Sequence, residues 1–309
     1  MSKLFHGGGP ASTLGKATLA VISIATVTAC GGGGDSTPPT STVSSSSVAA
    51  TRYGSPAIIS IAGTNLDSSG LSVSSSGCKN MTRLTSGALV STAINAYYTC
   101  TVSGAFSGTV DIKSNGATIA SPAFQVYAPQ VTLTVSNGQG VSGSIVLTLM
   151  GDKVPTTVDN FLSYVNKTPS FYKGTIFHRL AKHDTDPTHY FIAQGGGYGA
   201  TSNGQLPAHK ATDAPIGIET AGGNAVQWSV GMFNSGPGTV TSDFFFNVED
   251  NTSTLGTNYS VFGNITSGVD VVQQMLAAPV TCTSNGLIGS TIDCLPQPDI
   301  TITDAAQTR

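Results

Sequence analysis

Apolar and polar residues alternate in short runs between residues 51 and 129, as they do in β-strands that bury one face. Residues 57–61 and 96–102 follow this pattern, and Ser114-Asn115-Gly116 has the composition of a tight turn. No run in this range has the 3.6-residue period of a helix. The sequence therefore predicts a small β-sandwich over residues 51–129.

The pattern changes after this segment. Residues 144–150 form a predicted strand, and residues 155–167 begin with a proline and carry apolar positions at i, i+3, i+4 and i+7. A second helical pattern covers residues 268–278, and strands and glycine-bearing loops lie between the two. Two helices on a body of strands predict a β-barrel, over residues 130–309, with a helix closing each end.

Residues 1–29 have the features of an export signal. A basic start precedes a short uncharged run at 17–29, which is too short to cross a bilayer. Residues 27–30, Val-Thr-Ala-Cys, resemble the bacterial lipobox, in which the cysteine is lipidated and becomes the mature N-terminus. The resemblance makes Cys30 a lipidation site that anchors the protein to a membrane. The alternative is an ordinary signal peptide that ends beside a cysteine.

Residues 30–50 are dominated by Gly, Ser and Thr, carry one charge and lack a large apolar cluster. Such a segment cannot form a core, so we predict a flexible linker. Gly31 follows the lipidation site, where an Asp tends to retain Gram-negative lipoproteins at the inner membrane. By this resemblance we expect an exported protein at the outer membrane, on its periplasmic or surface side.

Charged residues make up 9% of the 309 residues, and the net charge is −3. Ordinary globular proteins contain about 25% charged residues. The composition excludes a coiled coil, a polybasic nucleic-acid binder and a charge-rich disordered tail. We therefore expect no nucleic-acid partner, and we expect a monomer.

The chain contains five cysteines. In an exported protein Cys78 and Cys100 are expected to form a disulfide rather than to remain free thiols. Cys282 and Cys294 flank a turn signal and are predicted to form a second disulfide. With Cys30 as the lipid acceptor, this pairing leaves no cysteine free.

Residues 61–66, IAGTNL, resemble the opening of bacterial Ig-like domains of the IPT/TIG kind. The resemblance suggests an Ig-like β-sandwich for residues 51–129. Nothing in this segment carries catalytic chemistry. A spacer or rigid stalk is the favoured interpretation, and a glycan- or protein-binding module is the alternative.

Five separated motifs in the second half of the chain carry a further resemblance. In chain order they are FYKGTIFHR at 171–179, FIAQGGG at 191–197, GMFNSGP at 231–237, SDFFF at 242–246, and VFG with GVDVV at 261–272. They resemble the FY…T.FHR, F-M-x-Q-G-G, S-M-A-N-A-G-P and S-Q-F-F-I motifs and the final strand and helix of cyclophilins. The resemblance covers about residues 143–278. It implies a closed eight-stranded barrel with peptidyl-prolyl cis-trans isomerase activity.

The resemblance also implies roles for individual residues. Arg179 would be the catalytic donor and Gln194 an orienting donor. The cup for the substrate's proline ring would consist of Phe191, Ile192, Phe245 and Leu255. Asn234 would be the backbone clamp on the substrate, and Tyr259 stands where relatives have histidine or tyrosine. The alternatives are a surface salt bridge for Arg179, plain core for the cup and a turn for Gln194. Bond rotation needs no nucleophile, so we expect neither a metal nor a cofactor.

Three residues depart from the cyclophilin pattern. Asp243 replaces a glutamine and is predicted to pair with Arg179 in competition with substrate. Phe233 replaces a small alanine and would narrow the groove before the proline. Thr254 stands where a tryptophan or phenylalanine is expected, which thins one wall of the cup. These departures predict reduced activity.

The segment at 180–190 is longer than the corresponding link in the family and contains His183, Asp184, Asp186 and His189. Their spacing matches no established metal site, so a solvated polar loop is favoured over a metal site. His178 lies beside Arg179 on an alternating strand. We expect its side chain to point the opposite way and to serve as a structural hydrogen-bonding group rather than as a catalyst.

The sequence thus predicts a mainly β protein, with an Ig-like sandwich followed by a cyclophilin-like barrel with two capping helices. The predicted function is isomerisation of prolyl bonds to assist the folding of envelope or secreted proteins, with proline-containing polypeptides as partners. One alternative is a catalytically weak peptide-binding or adhesion module. Another is a surface spacer whose working part is the first domain.

Overall fold

The computed structural model describes residues 37–183, 185–284 and 291–309. The predicted signal segment, Cys30 and the start of the predicted linker lie outside these residues, as does Asp184. Residues Thr37–Arg309 belong to one unit by their contacts. Within the described ranges, no helix combines the length and apolar character needed to span a bilayer.

Nine strands precede the barrel in the part of the chain that the structure describes. They are β1 (Thr42–Ala49), β2 (Pro56–Thr64), β3 (Leu71–Ser74), β4 (Cys78–Arg83), β5 (Asn95–Val102), β6 (Ser107–Thr109), β7 (Asp111–Ser114), β8 (Ala117–Ala120) and β9 (Ala123–Gln125). They form sheets of order β1-β2-β5-β4, β3-β7-β8 and β6-β9. Alternate residues of β2 and β5 are buried, as the alternating sequence predicts. The Ig-like assignment of this body stays a prediction.

The predicted linker at 30–50 is wrong for Thr42–Ala49, which form β1 and pair antiparallel with β2. This strand has almost no apolar pattern, because its place at the edge of the sheet requires backbone hydrogen bonds rather than a buried face. Val43 and Val48 nevertheless pack partly against the core. Ser41 is buried and its backbone N–H donates to the Ser114 hydroxyl at 2.8 Å.

The remaining elements form the second body. They are β10 (Gln130–Ser136), β11 (Ser142–Leu149), α1 (Pro155–Val165), β12 (Thr175–His183), β13 (Tyr190–Gly199), β14 (Ser229–Met232), β15 (Phe244–Asn247), α2 (Thr252–Leu255), β16 (Ser260–Ser267), α3 (Val269–Leu276), β17 (Val280–Ser284), β18 (Thr291–Pro296) and β19 (Ile300–Gln307). Eight strands pair in the closed order β10-β11-β16-β14-β15-β13-β12-β19, and β19 returns to β10. The predicted eight-stranded barrel is confirmed.

Helices α1 and α3 fall within the two predicted helical segments, and the short α2 is an addition to them. Four residues are too few to show a helical period, so no apolar pattern predicts α2. On α1, Phe161 is fully buried and lies 5.2 Å from Tyr172, 5.6 Å from Phe244 and 4.9 Å from Phe262, measured between ring centroids. The apolar face of this helix therefore packs on an aromatic barrel core.

Both predicted disulfides are present. Cys78–Cys100 links β4 to β5 in the first body. Cys282–Cys294 links β17 to β18, and these two residues lie directly opposite each other in the hairpin. The hairpin lies outside the barrel ring and attaches to it through pairing of β18 with β12. It is therefore an addition to the eight barrel strands.

Candidate active site

One row of residues in register crosses five strands of the barrel. Arg179 pairs with Gln194, Gln194 with Phe245, Phe245 with Gly231, and Gly231 with Val261. Residues directly opposite each other in a sheet project from the same face. The register therefore brings the predicted donor, the predicted orienting residue and the centre of the predicted cup onto one face of the barrel.

An apolar cluster lies on this face, separate from the main core. Its buried members are Ala181, Phe191, Ile192, Ala225, Phe245, Leu255 and Val261, with Phe233 and Tyr259 packed against it. All four predicted cup residues are among them. The ring of Phe245 meets Tyr259 edge to face with centroids 5.3 Å apart, and Phe233 stacks on Tyr259 at 6.5 Å. The structure thus assembles an apolar surface of the kind that a proline ring requires.

Gly231 makes room for the centre of this surface. A Cβ atom at this position would lie 2.5 Å from Cζ of Phe245, well inside van der Waals contact. Since Phe245 is 1% exposed, its ring has little freedom to move aside. The glycine in the GMFNSGP segment therefore has a packing role that its strand position alone does not suggest.

The guanidinium of Arg179 is held from two sides. Its Nη1 donates to Oε1 of Gln194 at 3.0 Å, and its Nε donates to Oδ1 of Asp293 at 2.7 Å. Its Nη2 is buried and has no hydrogen-bond partner among the described residues. The Arg179 side chain is only 2% exposed, so its ion pair with Asp293 is not a surface salt bridge.

Tyr259 lies within the electrostatic reach of this arginine. Burial raises the pKa of the Tyr259 hydroxyl, and the positive charge of Arg179 opposes that rise. The tyrosine therefore stays protonated at neutral pH and retains a hydroxyl donor beside the apolar cluster.

Asp243 does not pair with Arg179, so that prediction is wrong. Its Oδ2 instead forms a short hydrogen bond with Nε2 of His209, and its Oδ1 lies 3.8 Å from Nε2 of His178. The hydrogen bond with Asp243 raises the pKa of His209. The Asp243 carboxylate is therefore paired with His209, and Arg179 has Asp293 as its counterion.

His178 does not follow the predicted alternation. The pairing of β12 with β13 shifts register between Phe177 and Arg179, and His178 and Arg179 line the same cavity of about 660 Å³. Burial lowers the pKa of His178 to about 4, although the charge of Asp243 opposes the change. His178 is thus neutral at physiological pH, and its ring packs edge to face on Tyr198.

Two further predicted residues lie at the edge of the site. The Asn234 side chain donates to the carbonyl of Asn258 at 2.9 Å and accepts from the N–H of Gly236 at 3.2 Å. These bonds fix the loop after β14, which is where a backbone clamp is expected. Thr254 is exposed on α2, so no large side chain covers Leu255 from this position.

The described histidine and aspartate residues of the 180–190 segment do not converge. His183 stacks on the ring of Phe191 at 4.3 Å, whereas His189 lies 3.0 Å from Asp186 and is largely exposed. Among the residues that the structure describes, no group of three metal-binding side chains occurs. His183 therefore belongs to the rim of the apolar cluster.

Two residues at the site were not predicted. His209 lies in a long loop between β13 and β14, and Asp293 lies in the added hairpin. Neither belongs to a motif. Asp293 lies 114 residues from Arg179 in the sequence. Its position gave no indication of the contact, because the contact depends on the pairing of two distant strands.

The sequence comparisons agree with this geometry. Residues 131–306 match the model of the family described as cyclophilin type peptidyl-prolyl cis-trans isomerase. The chain is 37% identical over 145 residues to a peptidyl-prolyl cis-trans isomerase of Acinetobacter baylyi, covering 45% of this chain and 70% of the relative. It is 34% identical over 142 residues to peptidyl-prolyl cis-trans isomerase B of Escherichia coli, covering 43% and 78%.

A crystal structure of a cyclophilin type isomerase of Cryptosporidium parvum aligns with a TM-score of 0.43 and 20% identity, over 59% of this chain and 99% of that one. The family match extends over more than half of the chain, and the relatives are covered over most of their length. The chain belongs to the cyclophilin-type family and is a peptidyl-prolyl cis-trans isomerase. Proline-containing peptides are the substrates of this family.

Proposed function

We propose that the protein isomerises prolyl bonds in exported proteins and so assists their folding at the cell envelope. The observation that carries the catalytic part is the row that places Arg179, Gln194 and Phe245 in register on one face. The envelope location is supported by the export signal and lipobox-like sequence before Cys30, and by two disulfides in the folded part. Disulfides persist in oxidising compartments outside the cytoplasm.

The chemistry requires stabilisation of a twisted amide. Resonance gives the peptide bond a rotation barrier of about 18–20 kcal/mol, and the barrier falls when the prolyl nitrogen leaves conjugation. A donor to that nitrogen therefore favours the transition state over the planar ground state. Nη2 of Arg179 is the guanidinium nitrogen without a hydrogen-bond partner among the described residues. We assign it as the donor to the prolyl nitrogen.

The remaining site residues would bind the substrate. Phe191, Ile192, Phe245 and Leu255 would hold the proline ring, and the loop at Asn234 would bind the peptide backbone beside it. The Gln194 oxygen accepts from Nη1 of Arg179 and thereby orients the guanidinium. Phe233 would stand next to the residue that precedes the proline.

An isomerisation assay on an Ala-Pro peptide tests the catalytic assignment. Arg179→Ala should lower kcat/KM by about a hundredfold or more, the usual effect of removing a transition-state donor. Arg83→Ala, in the first body, removes an arginine with side-chain bonds to Leu66 and Tyr98 and serves as the control. Equal rates for wild type and Arg179→Ala would contradict the assignment.

A second experiment tests the location. Labelling with a palmitate analogue in a Gram-negative host should mark the wild-type chain in the outer-membrane fraction. The Cys30→Ser variant should carry no label and should be absent from the outer-membrane fraction. Label retained by Cys30→Ser would contradict lipidation at this residue. Gel filtration of the soluble form beginning at residue 37 is expected to give a monomer.

A catalytically weak peptide-binding or adhesion module is the second candidate. The burial of Arg179 and the bulk of Phe233 in the apolar cluster favour it. The combined variant Phe233→Ala, Asp243→Gln, Thr254→Trp distinguishes the two. A large gain in kcat/KM for an Ala-Pro peptide over wild type would support the second candidate, and an unchanged kcat/KM for this peptide would support the first.

A further inference from the structure

We propose that Asp293 is a positioning residue for the isomerase reaction, which holds the Arg179 guanidinium from the disulfide-bonded β17–β18 hairpin. The proposal rests on the catalytic role assigned above to Arg179. It deepens that role by naming an element outside the barrel ring on which the reaction depends.

The first argument is geometric. The guanidinium is planar, so fixing two of its nitrogens fixes the position of the third. Asp293 accepts from Nε at 2.7 Å and Gln194 accepts from Nη1 at 3.0 Å. These partners lie on β18 and β13, which pair with β12 on its two sides. The two bonds therefore fix the position of Nη2, the proposed donor to the prolyl nitrogen.

The second argument concerns charge. A buried guanidinium requires a counterion, and the Arg179 side chain is 2% exposed. Gln194 is neutral, and Asp243 is engaged by His209. Asp293, itself 14% exposed at the side chain, forms the ion pair with Arg179. A carboxylate also accepts a stronger hydrogen bond than an amide does.

The third argument is that the hairpin leaves Asp293 little freedom. Its backbone lies between β12 and β17, opposite Ala181 on one side and Thr283 on the other. The next residue, Cys294, is bonded to Cys282 across the hairpin and is 1% exposed. A side chain on such a doubly paired strand is placed more narrowly than one on a loop.

The cavity beside the pair shows what Asp293 prevents. Arg179 and Asp293 both line the cavity of about 660 Å³, whose other walls include Leu206, Thr281 and Leu295. Without the carboxylate, the guanidinium has room to turn into this cavity and away from Gln194. A donor displaced by about 1 Å can cost two orders of magnitude in rate.

The main test is Asp293→Asn, which keeps the shape of the side chain and removes its charge. We expect kcat/KM for an Ala-Pro peptide to fall about ten- to a hundredfold. The dissociation constant for the same peptide, measured by NMR titration, should stay within about twofold of wild type, because Asp293 is no part of the apolar cluster. A merely structural role would instead weaken binding together with rate.

Asp213→Asn is the matched control. Asp213 forms an exposed ion pair with Lys167 at 2.8 Å, so this variant makes the same chemical change at a second ion pair. It should leave kcat/KM within about twofold of wild type. Wild-type kcat/KM in Asp293→Asn, or an equal loss in the control, overturns the proposal. If Arg179→Ala is inactive while Asp293→Asn is fully active, only this inference fails and the proposed function stands.

A spectroscopic measurement keeps the proposal falsifiable should Asp293→Asn fail to fold. In the wild-type protein the Nε–H of Arg179, assigned by its loss in Arg179→Lys, should exchange slowly with water, because it is buried in a short charged hydrogen bond. Rapid exchange of this proton would overturn the proposal.

In the double variant Cys282→Ser, Cys294→Ser we expect a kcat/KM between those of wild type and Asp293→Asn. A lower rate would show that the hairpin acts otherwise than through Asp293.

Discussion

The hydroxyl of Tyr53 donates to the backbone carbonyl of Gly151 at 3.1 Å and thereby joins the first body to the loop that precedes α1. The same oxygen accepts from the N–H of Gly104 at 3.1 Å. Tyr53 is fully buried, and burial raises the pKa of its hydroxyl to about 12. Asp159 on α1 adds to this contact through bonds with Lys79 at 2.6 Å and Ser103 at 2.7 Å.

Removing the Tyr53 hydroxyl should therefore weaken the whole unit. Tyr53→Phe leaves buried polar groups without partners, so we expect the free energy of unfolding to fall by about 1–3 kcal/mol. Tyr97→Phe is the control, since the Tyr97 hydroxyl forms no hydrogen bond among the described residues. Equal urea midpoints for Tyr53→Phe and wild type would contradict the prediction.

His178 should make stability fall in mild acid. Its pKa is lowered from 6.5 to about 4 by burial, so the unfolded chain takes up the proton first as the pH drops. Its contribution to the free energy of unfolding is full above pH 6.5 and is lost between about pH 6.5 and 4, on the order of 3 kcal/mol in total. His178→Gln should flatten this part of the profile, whereas His189→Gln, at an exposed position, should not.

The raised pKa of His209 has the opposite sign. Stability from its bond with Asp243 is complete below the unfolded pKa of about 6.5 and declines as the pH rises through the raised folded value. His209→Gln should therefore lose stability mainly at acidic and neutral pH and little at alkaline pH. Chemical denaturation at a series of pH values measures both histidines, and a loss independent of pH would contradict this prediction.

Gly231→Ala tests the packing beneath the apolar cluster. The new methyl group would press on the Phe245 ring, and overpacking of this kind costs about 1–3 kcal/mol. We expect a displaced ring and a raised KM for proline peptides. Gly199→Ala is the matched control, because a Cβ there meets no atom within 4 Å. Unchanged KM in Gly231→Ala would show that the ring is no part of the proline site.

Phe233 should govern which residue precedes the proline. Phe233→Ala is expected to raise kcat/KM for Phe-Pro or Leu-Pro peptides by about tenfold relative to Ala-Pro, because one aromatic side chain is removed from the groove. A peptide series differing only at this residue measures the change. An equal effect on all peptides would indicate that Phe233 acts on the proline ring or on folding instead.

The predictable parts of this protein are those with local patterns. The α1 helix follows from its apolar spacing, and the motifs around Arg179 and Phe245 place the apolar cluster. Strand β1 was not predicted, because it pairs through backbone hydrogen bonds and its serines show no apolar pattern. Asp293 and His209 were not predicted, because their contacts depend on how segments distant in sequence pack together. The bulge at His178 likewise depends on pairing with β13, which strand alternation alone does not show.

The ring of the barrel also sets an order of events during synthesis. Strand β19 must return to β10, and the paired hydroxyls of Thr132 and Thr308 are 176 residues apart. At about 5–20 residues per second, β10 waits about 10–35 s for this partner. The strands of all three sheets of the first body are synthesised by Gln125, before β10 begins, so this body can form during that wait. An emerging chain therefore carries a finished N-terminal body and an open barrel edge, which is the interval in which a chaperone or a wrong partner can bind it.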